Sequence, residues 1–254
     1  MTAPAKPHAI AGHQIPPDLL QHLRDASTKT GVDFSFLVAQ ASLESGFESN
    51  AASHRSSARG LFQFTTQTWL EMMRDHGTQY GYGDLARQIA PQAHGRLGVA
   101  DKAVEKQILD LRNDPELSSY MAAELAKGNS HQIEHALGRK ASAADIRLSL
   151  LLGPTGAIRF LREHQSGGAA DATQLEPQAA RQNPTIFYGE GHTPKTVAAV
   201  YRRIEEQIAG PIRQVAALTR DSGAPAPSPS TQVASLDVPL RPGGGLESNI
   251  TRKG

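Results

Sequence analysis

Apolar residues recur along most of this chain at the three- and four-residue spacing of a buried helical face, and almost nowhere with the period of two that marks a half-buried strand. Leu19, Leu20, Leu23 and Ala26 line one side of a first segment, which Pro17 opens and Gly31 stops. Asp33 is placed to cap the next segment, where Phe34, Leu37, Ala41 and Glu44 form a stripe that ends before Gly46. A loop rich in Ser and Ala covers 50–59. Thr65 or Thr66 then caps a helix with Trp69, Leu70 and Met73 on its buried side and Gly77 at its end. The Tyr80-Gly-Tyr-Gly83 turn interrupts the pattern, which resumes over 101–112. It restarts at Asp114-Pro115, with Leu117, Tyr120, Met121, Glu124 and Leu125 sharing a side before Gly128. Ser142-x-x-Asp145 has the form of a capping box ahead of Ile146, Leu148, Leu151 and Leu152; Gly153-Pro-Thr-Gly156 breaks the helix, and 157–164 resume it. A short helix is expected over 173–181. Thr193 caps and Pro194 opens the last strong segment, with Val197, Val200, Tyr201, Ile204 and Ile208 inward. The expected fold is all-α, with room for a short β-hairpin in the loops.

The pattern also sets boundaries. Residues 1–15 are rich in Pro, Ala and His without apolar period and read as a flexible arm; 16–210 read as one helical domain. Residues 211–254 read as a largely disordered Pro/Gly/Ser-rich tail after one further helical stretch to 219. A chain of 254 residues with 39% hydrophobic content can bury one substantial core. Its net charge of +1 offers no general attraction for nucleic acid, and no stretch is long and apolar enough to span a bilayer. With no cysteine there is no thiolate chemistry, and the compartment stays open. The first ten residues lack the apolar core of a secretory signal, so a signal has been removed, export takes another route, or the protein stays inside.

The chemistry concentrates in Ala39-Gln-Ala-Ser-Leu-Glu-Ser-Gly-Phe47 and Gly60-Leu-Phe-Gln-Phe64. Glu44 ends an apolar stripe in the last turn of its helix, where partial burial and the helix dipole both disfavour an anion. That suits a group whose work is to carry a proton. The competing reading is a helix-terminal Glu pointing into water. Glu48 falls in a loop and reads as solvated surface.

These two stretches resemble the lytic transglycosylases with the soluble-lytic-transglycosylase (SLT, goose-lysozyme-like) domain. In that family a Glu-Ser at a helix end supplies the catalytic acid, and a Gly-Leu-Met-Gln type turn lines the same cleft; Glu44-Ser45 and Gly60-Leu61-Phe62-Gln63 are similar, with Phe for Met. Asn183-Pro-Thr-Ile-Phe-Tyr188 and Thr193-Pro-Lys-Thr-Val197 resemble the C-terminal end of a proteobacterial branch, so the likeness covers roughly 17–208. The resemblance implies a lysozyme-like helical domain and Glu44 as catalytic acid and base. Ser45, Ser53, Phe62, Gln63 and Tyr188 are its substrate-binding candidates, with Ser56 and Ser57 as rivals for Ser53. One departure matters: the family's Ala-Tyr-Asn turn, whose Tyr contacts the catalytic region, is replaced here by Ser149-Leu-Leu-Leu-Gly153. Tyr188 is the candidate to supply that contact, against Tyr80, Tyr82 and Tyr120.

The implied activity is cleavage of the β-1,4 bond between N-acetylmuramic acid and N-acetylglucosamine in peptidoglycan, with a 1,6-anhydro product and no cofactor or metal. The partner is then the glycan strand and the location periplasmic, with the tail as a hint of a secretion or flagellar partner. A catalytically weak relative that binds glycan or assists assembly is the alternative. His131-Gln-Ile-Glu-His135 fits the H-x-x-E-H zinc pattern, but it lacks a third ligand and reads as two exposed histidines on a surface helix. Trp69 and Phe64 read as core.

Overall fold

Short-range capping decides where the helices begin, and tertiary burial decides how far they run. In a computed structural model that describes residues 9–54 and 56–221, a β1–β2 hairpin (Ala9–Ile10, His13–Gln14) precedes α1 (Pro17–Thr30), α2 (Phe34–Ser45), α3 (Thr66–His76) and α4 (Gly83–Ala86). A second antiparallel hairpin, β3 (Ile89–Pro91) and β4 (Leu97–Val99), leads to α5 (Lys102–Asp110), α6 (Pro115–Leu137) and α7 (Ala143–Gln165). Three short helices, α8 (Ala172–Leu175), α9 (Pro177–Gln182) and α10 (Pro184–Phe187), are followed by α11 (Val197–Asp221). The fold is all-α and lysozyme-like, with little strand. The tail expectation for 222–254 and the arm expectation for 1–8 lie outside the described residues.

Asp33 accepts the Phe36 N–H at 2.9 Å, Asp114 accepts that of Leu117 at 2.9 Å, and Ser142 and Asp145 close their capping box in both directions. Thr65, not Thr66, caps α3. α7 breaks where Gly153 leaves helical geometry (φ 70°, ψ 161°), and Pro154 restarts it.

The helix carrying Glu44 departs from a one-sided stripe. Every residue from Phe36 to Ser42 is buried, so α2 is the central helix, with α1, α6 and α11 packed around it. α7 closes the bundle against α6 and α11. Trp69 is fully buried and donates its indole N–H to the Ile108 carbonyl at 2.7 Å, which joins α3 to α5.

Several boundaries shift for physical reasons. α6 runs through Gly128 to Leu137, because Asn129 and Ile133 continue its buried face, and burying one Ile outweighs the cost of about 1 kcal/mol for a mid-helix glycine. α11 opens at Val197, because Pro194 is held in an extended bridge with Tyr188 while Thr196 Oγ1 accepts the Ala199 N–H at 3.2 Å. The short helix expected over 173–181 is split by Pro177. Order begins before residue 16: Ile10 and Ile15 are buried, and the Ala11 N–H donates to Gln214 Oε1 at 2.7 Å. At the other end α11 continues past 210 to Asp221.

Candidate functional site

The C-terminus of α2 meets the turn 60–64 because both are tied to each other and to a third support. Ser45 Oγ donates to the Leu61 carbonyl at 2.8 Å and lies 3.3 Å from that of Ala41, stapling helix to turn. Behind the turn the buried Arg112 donates to the carbonyls of Ser57 (2.8 Å) and Leu109 (2.8 Å). Burial, with Arg59 nearby, holds the Arg112 guanidinium below its usual pKa. Gly60 makes this approach feasible: its φ is +79°, and a Cβ there would sit against the Arg112 carbonyl.

Gln63 has φ +49°, a strained geometry for a residue with a side chain, and its amide Nε2 donates to the carbonyls of Gly60 (2.9 Å) and Ala51 (3.2 Å). The amide nitrogen therefore braces the 50–60 loop, and Oε1 is the end left for a ligand. Phe62 and Phe64 are both buried, and Phe64 packs edge-on against Trp69 with ring centroids 5.1 Å apart.

These elements enclose a cavity of about 140 Å³ lined by Gln40, Glu44, Phe62, Gln63, Thr65 and Thr68, with α6 and α7 contributing Ala122, Leu125 and Leu150. Among the described residues Glu44 is the only acidic side chain on the lining. Its Oε1 accepts from Gln40 Nε2 at 2.8 Å and from Arg147 Nη1 in an ion pair. The Glu44 side chain is 24% exposed and that of Arg147 15%, so the pair is neither sealed nor open; Glu44 lines the cavity, and Arg147 reaches it from beyond the lining.

The sequence candidates thus divide. Glu44, Phe62 and Gln63 come together on the lining of one cavity, and Ser45 joins the two motifs from behind. Ser53 lies in the bridged loop, its N–H on the Ala58 carbonyl at 3.1 Å. Its rivals act locally: Ser56 Oγ accepts the Ala58 N–H, and Ser57 Oγ accepts the Thr66 N–H at the start of α3. Glu48 is exposed. Tyr188 stacks on His192 with centroids 3.8 Å apart and is not among the residues lining the cavity. Of its rivals, Tyr80 donates to Glu124 at 2.7 Å and stacks on Tyr120, and burial together with Glu124 pushes its phenol pKa up.

The residue that does reach Glu44 from the far side is Arg147, on α7 in the turns before Gly153. Its one sequence signal was a lone Arg in the run Ile146-Arg-Leu-Ser-Leu-Leu-Leu152, a charge that needs a partner if that face is covered. In the zinc-like motif, Glu134 accepts from the Ala141 N–H (3.1 Å) and Lys140 Nζ (3.2 Å), securing the α6–α7 loop. Among the described residues no cluster of His, Asp or Glu is arranged to hold a metal.

Residues 21–84 match the family model of the transglycosylase SLT domain. The SLT segment runs from α1 to α4 and contains Glu44, Ser45, Ser53, Phe62 and Gln63; Arg147 and Tyr188 lie beyond it. An SLT domain supports a lytic-transglycosylase-type function acting on peptidoglycan, hence outside the cytoplasmic membrane. Among the described residues no helix is long and apolar enough to cross a membrane.

Proposed function

We propose that the protein is a peptidoglycan lytic transglycosylase that cleaves the N-acetylmuramic acid to N-acetylglucosamine β-1,4 bond and works in the periplasm. The observation that carries this reading is a single carboxylate, Glu44, on the wall of a cavity floored by the 60–64 turn within the SLT segment. Two-carboxylate glycosidases need a second acid, and among the described residues none lines this cavity, which favours substrate assistance.

Glu44 protonates the bridging oxygen, and the N-acetylglucosamine leaves as its 4-hydroxyl. The muramyl 2-acetamido group stabilises the oxocarbenium that develops at C1. The Glu44 carboxylate then takes the proton from the muramyl 6-hydroxyl, whose oxygen closes on C1 to give the 1,6-anhydro ring. No water is consumed, and Glu44 is reprotonated for the next turnover. Gln63 Oε1 accepts a hydroxyl or amide N–H of the sugar, and the buried Phe62 presents an apolar floor.

Mass spectrometry of digested sacculi tests the proposal. The wild type should release anhydromuropeptides, and Glu44→Gln should reduce their release by about 100- to 10,000-fold, the range for lost proton transfer. Products with free reducing ends would make the protein a hydrolase. Retained sacculus binding without turnover in the wild type would make it a glycan-binding module.

A further inference from the structure

Two donors hold Glu44, and they differ in how free they are to leave. Gln40 is 4% exposed, and its own Oε1 is buried without a partner, so it is fixed in the core of α2 and keeps its hold on Glu44 Oε1. Arg147 is partly exposed, just beyond the cavity lining, and among the described residues its one side-chain hydrogen-bonding partner is Glu44. A guanidinium carries five N–H donors in a planar fork shaped for a carboxylate, so most of that capacity is unused. Glu44 Oε2 accepts no hydrogen bond among the described residues, which leaves it as the oxygen for proton transfer.

In the proposed reaction this arrangement contains a conflict. The guanidinium and the acid proton compete for the same carboxylate. Pulling Arg147 away with nothing in exchange would strand a partly buried charge, which is strongly unfavourable. Exchanging Glu44 for another carboxylate preserves the pairing and frees the acid. The substrate carries such groups: each muramyl residue has a lactyl carboxylate where the stem peptide has been removed, and the stem peptide bears carboxylates where it has not.

We propose that Arg147 is the anion-reading residue of this cleft: it binds a carboxylate of the muramyl residue or its stem peptide, and in doing so releases Glu44. The inference rests on the peptidoglycan reading and adds a preference for anionic over neutral glycan. It also assigns a role to a residue two positions before Ser149–Gly153, the stretch that stands where the family's aromatic turn is missing.

Binding of uncleavable ligands separates the two readings. Thio-linked N-acetylglucosamine–N-acetylmuramic acid tetrasaccharides are titrated calorimetrically into the full chain in three forms: free lactyl carboxylates, amidated lactyl groups, and lactyl groups bearing an L-Ala-D-Glu dipeptide. The wild type should bind one or both carboxylate forms about tenfold or more tighter than the amidated form, and which form wins identifies the source of the carboxylate. Arg147→Gln should abolish that preference while changing the affinity for the amidated ligand by less than about twofold. Arg147→Lys, which keeps the charge but not the fork, should retain part of the preference, and it serves if the Gln variant does not fold. A preference that survives in Arg147→Gln, an equal loss for all three ligands, or no preference in the wild type would each overturn the assignment and leave the peptidoglycan reading standing. Binding of none of the ligands by the wild type would overturn both.

Discussion

Gly60→Ala should damage both stability and turnover, and a second glycine separates the two causes. Gly60 has φ +79°, and the added Cβ would meet the Arg112 carbonyl carbon at 2.8 Å, with its oxygen nearer still. That atom is backbone and cannot rotate aside. Gly81 has φ +90° with nothing within 4 Å of a Cβ, so Gly81→Ala carries only the left-handed backbone cost, about 1–2 kcal/mol. Gly60→Ala carries the same cost plus the clash, which is relieved only by moving the turn on the order of 1 Å from Arg112; the overpacking adds roughly another 1–3 kcal/mol. The turn places Gln63 and Phe62 on the cavity that Glu44 lines, and under the proposed function a displacement of that size should cost about 100-fold in rate. Urea denaturation of both variants and their initial rates on sacculi give the four numbers needed. The reasoning fails if Gly60→Ala unfolds at the same urea concentration as Gly81→Ala, or if it unfolds earlier yet turns over like the wild type.

Two further expectations concern stability. Burial works against the Asp145 carboxylate, but hydrogen bonds from Arg139 (2.5 Å), the Ser142 N–H (2.9 Å) and Tyr201 (2.8 Å) outweigh it and hold its carboxyl below the usual carboxylate range. A depressed folded-state pKa means that this stability is fully present above the ordinary value of 3.8 and is lost as pH falls through the folded value. Asp145→Asn should therefore cost about 3 kcal/mol near neutrality and progressively less in acid, read from urea midpoints between pH 7 and pH 2; a pH-independent cost would exclude the linkage. Trp69→Phe removes the donor to the Ile108 carbonyl and part of a buried ring, and should lower unfolding free energy by about 2–4 kcal/mol at an unchanged urea slope. An unchanged midpoint would mean that the indole contact contributes nothing net.

What the sequence disclosed follows the range of the forces involved. Asp33, Asp114 and Ser142 cap within three residues, so their helices could be placed from local pattern alone. Glu44 and Gln63 were legible as candidates because each sits in a short motif that resembles the family's, whereas the Ser45 bond that bridges the two stretches was not. Arg147 was not: it reaches Glu44 across 103 residues, and nothing in its own helix names the partner. The hairpins were equally silent, since strands of two or three residues are too short to show a period. α2 reads as one-sided along Phe34, Leu37, Ala41 and Glu44, yet Phe36, Val38, Ala39 and Ser42 on its other faces are buried too, because helices pack around it on several sides, which its own sequence does not announce.

The bond between Ala11 and Gln214 spans 203 residues. It joins the hairpin before α1 to the helix that packs directly on α2, so the first and last described elements close on each other beside the candidate catalytic helix. A chain emerging from a ribosome or threaded through a translocon N-terminus first has α2 long before α11, and contacts of such high sequence separation form late. Until then the face of α2 that α11 covers stays open. The candidate catalytic helix therefore reaches its final packing only once the last described helix has formed.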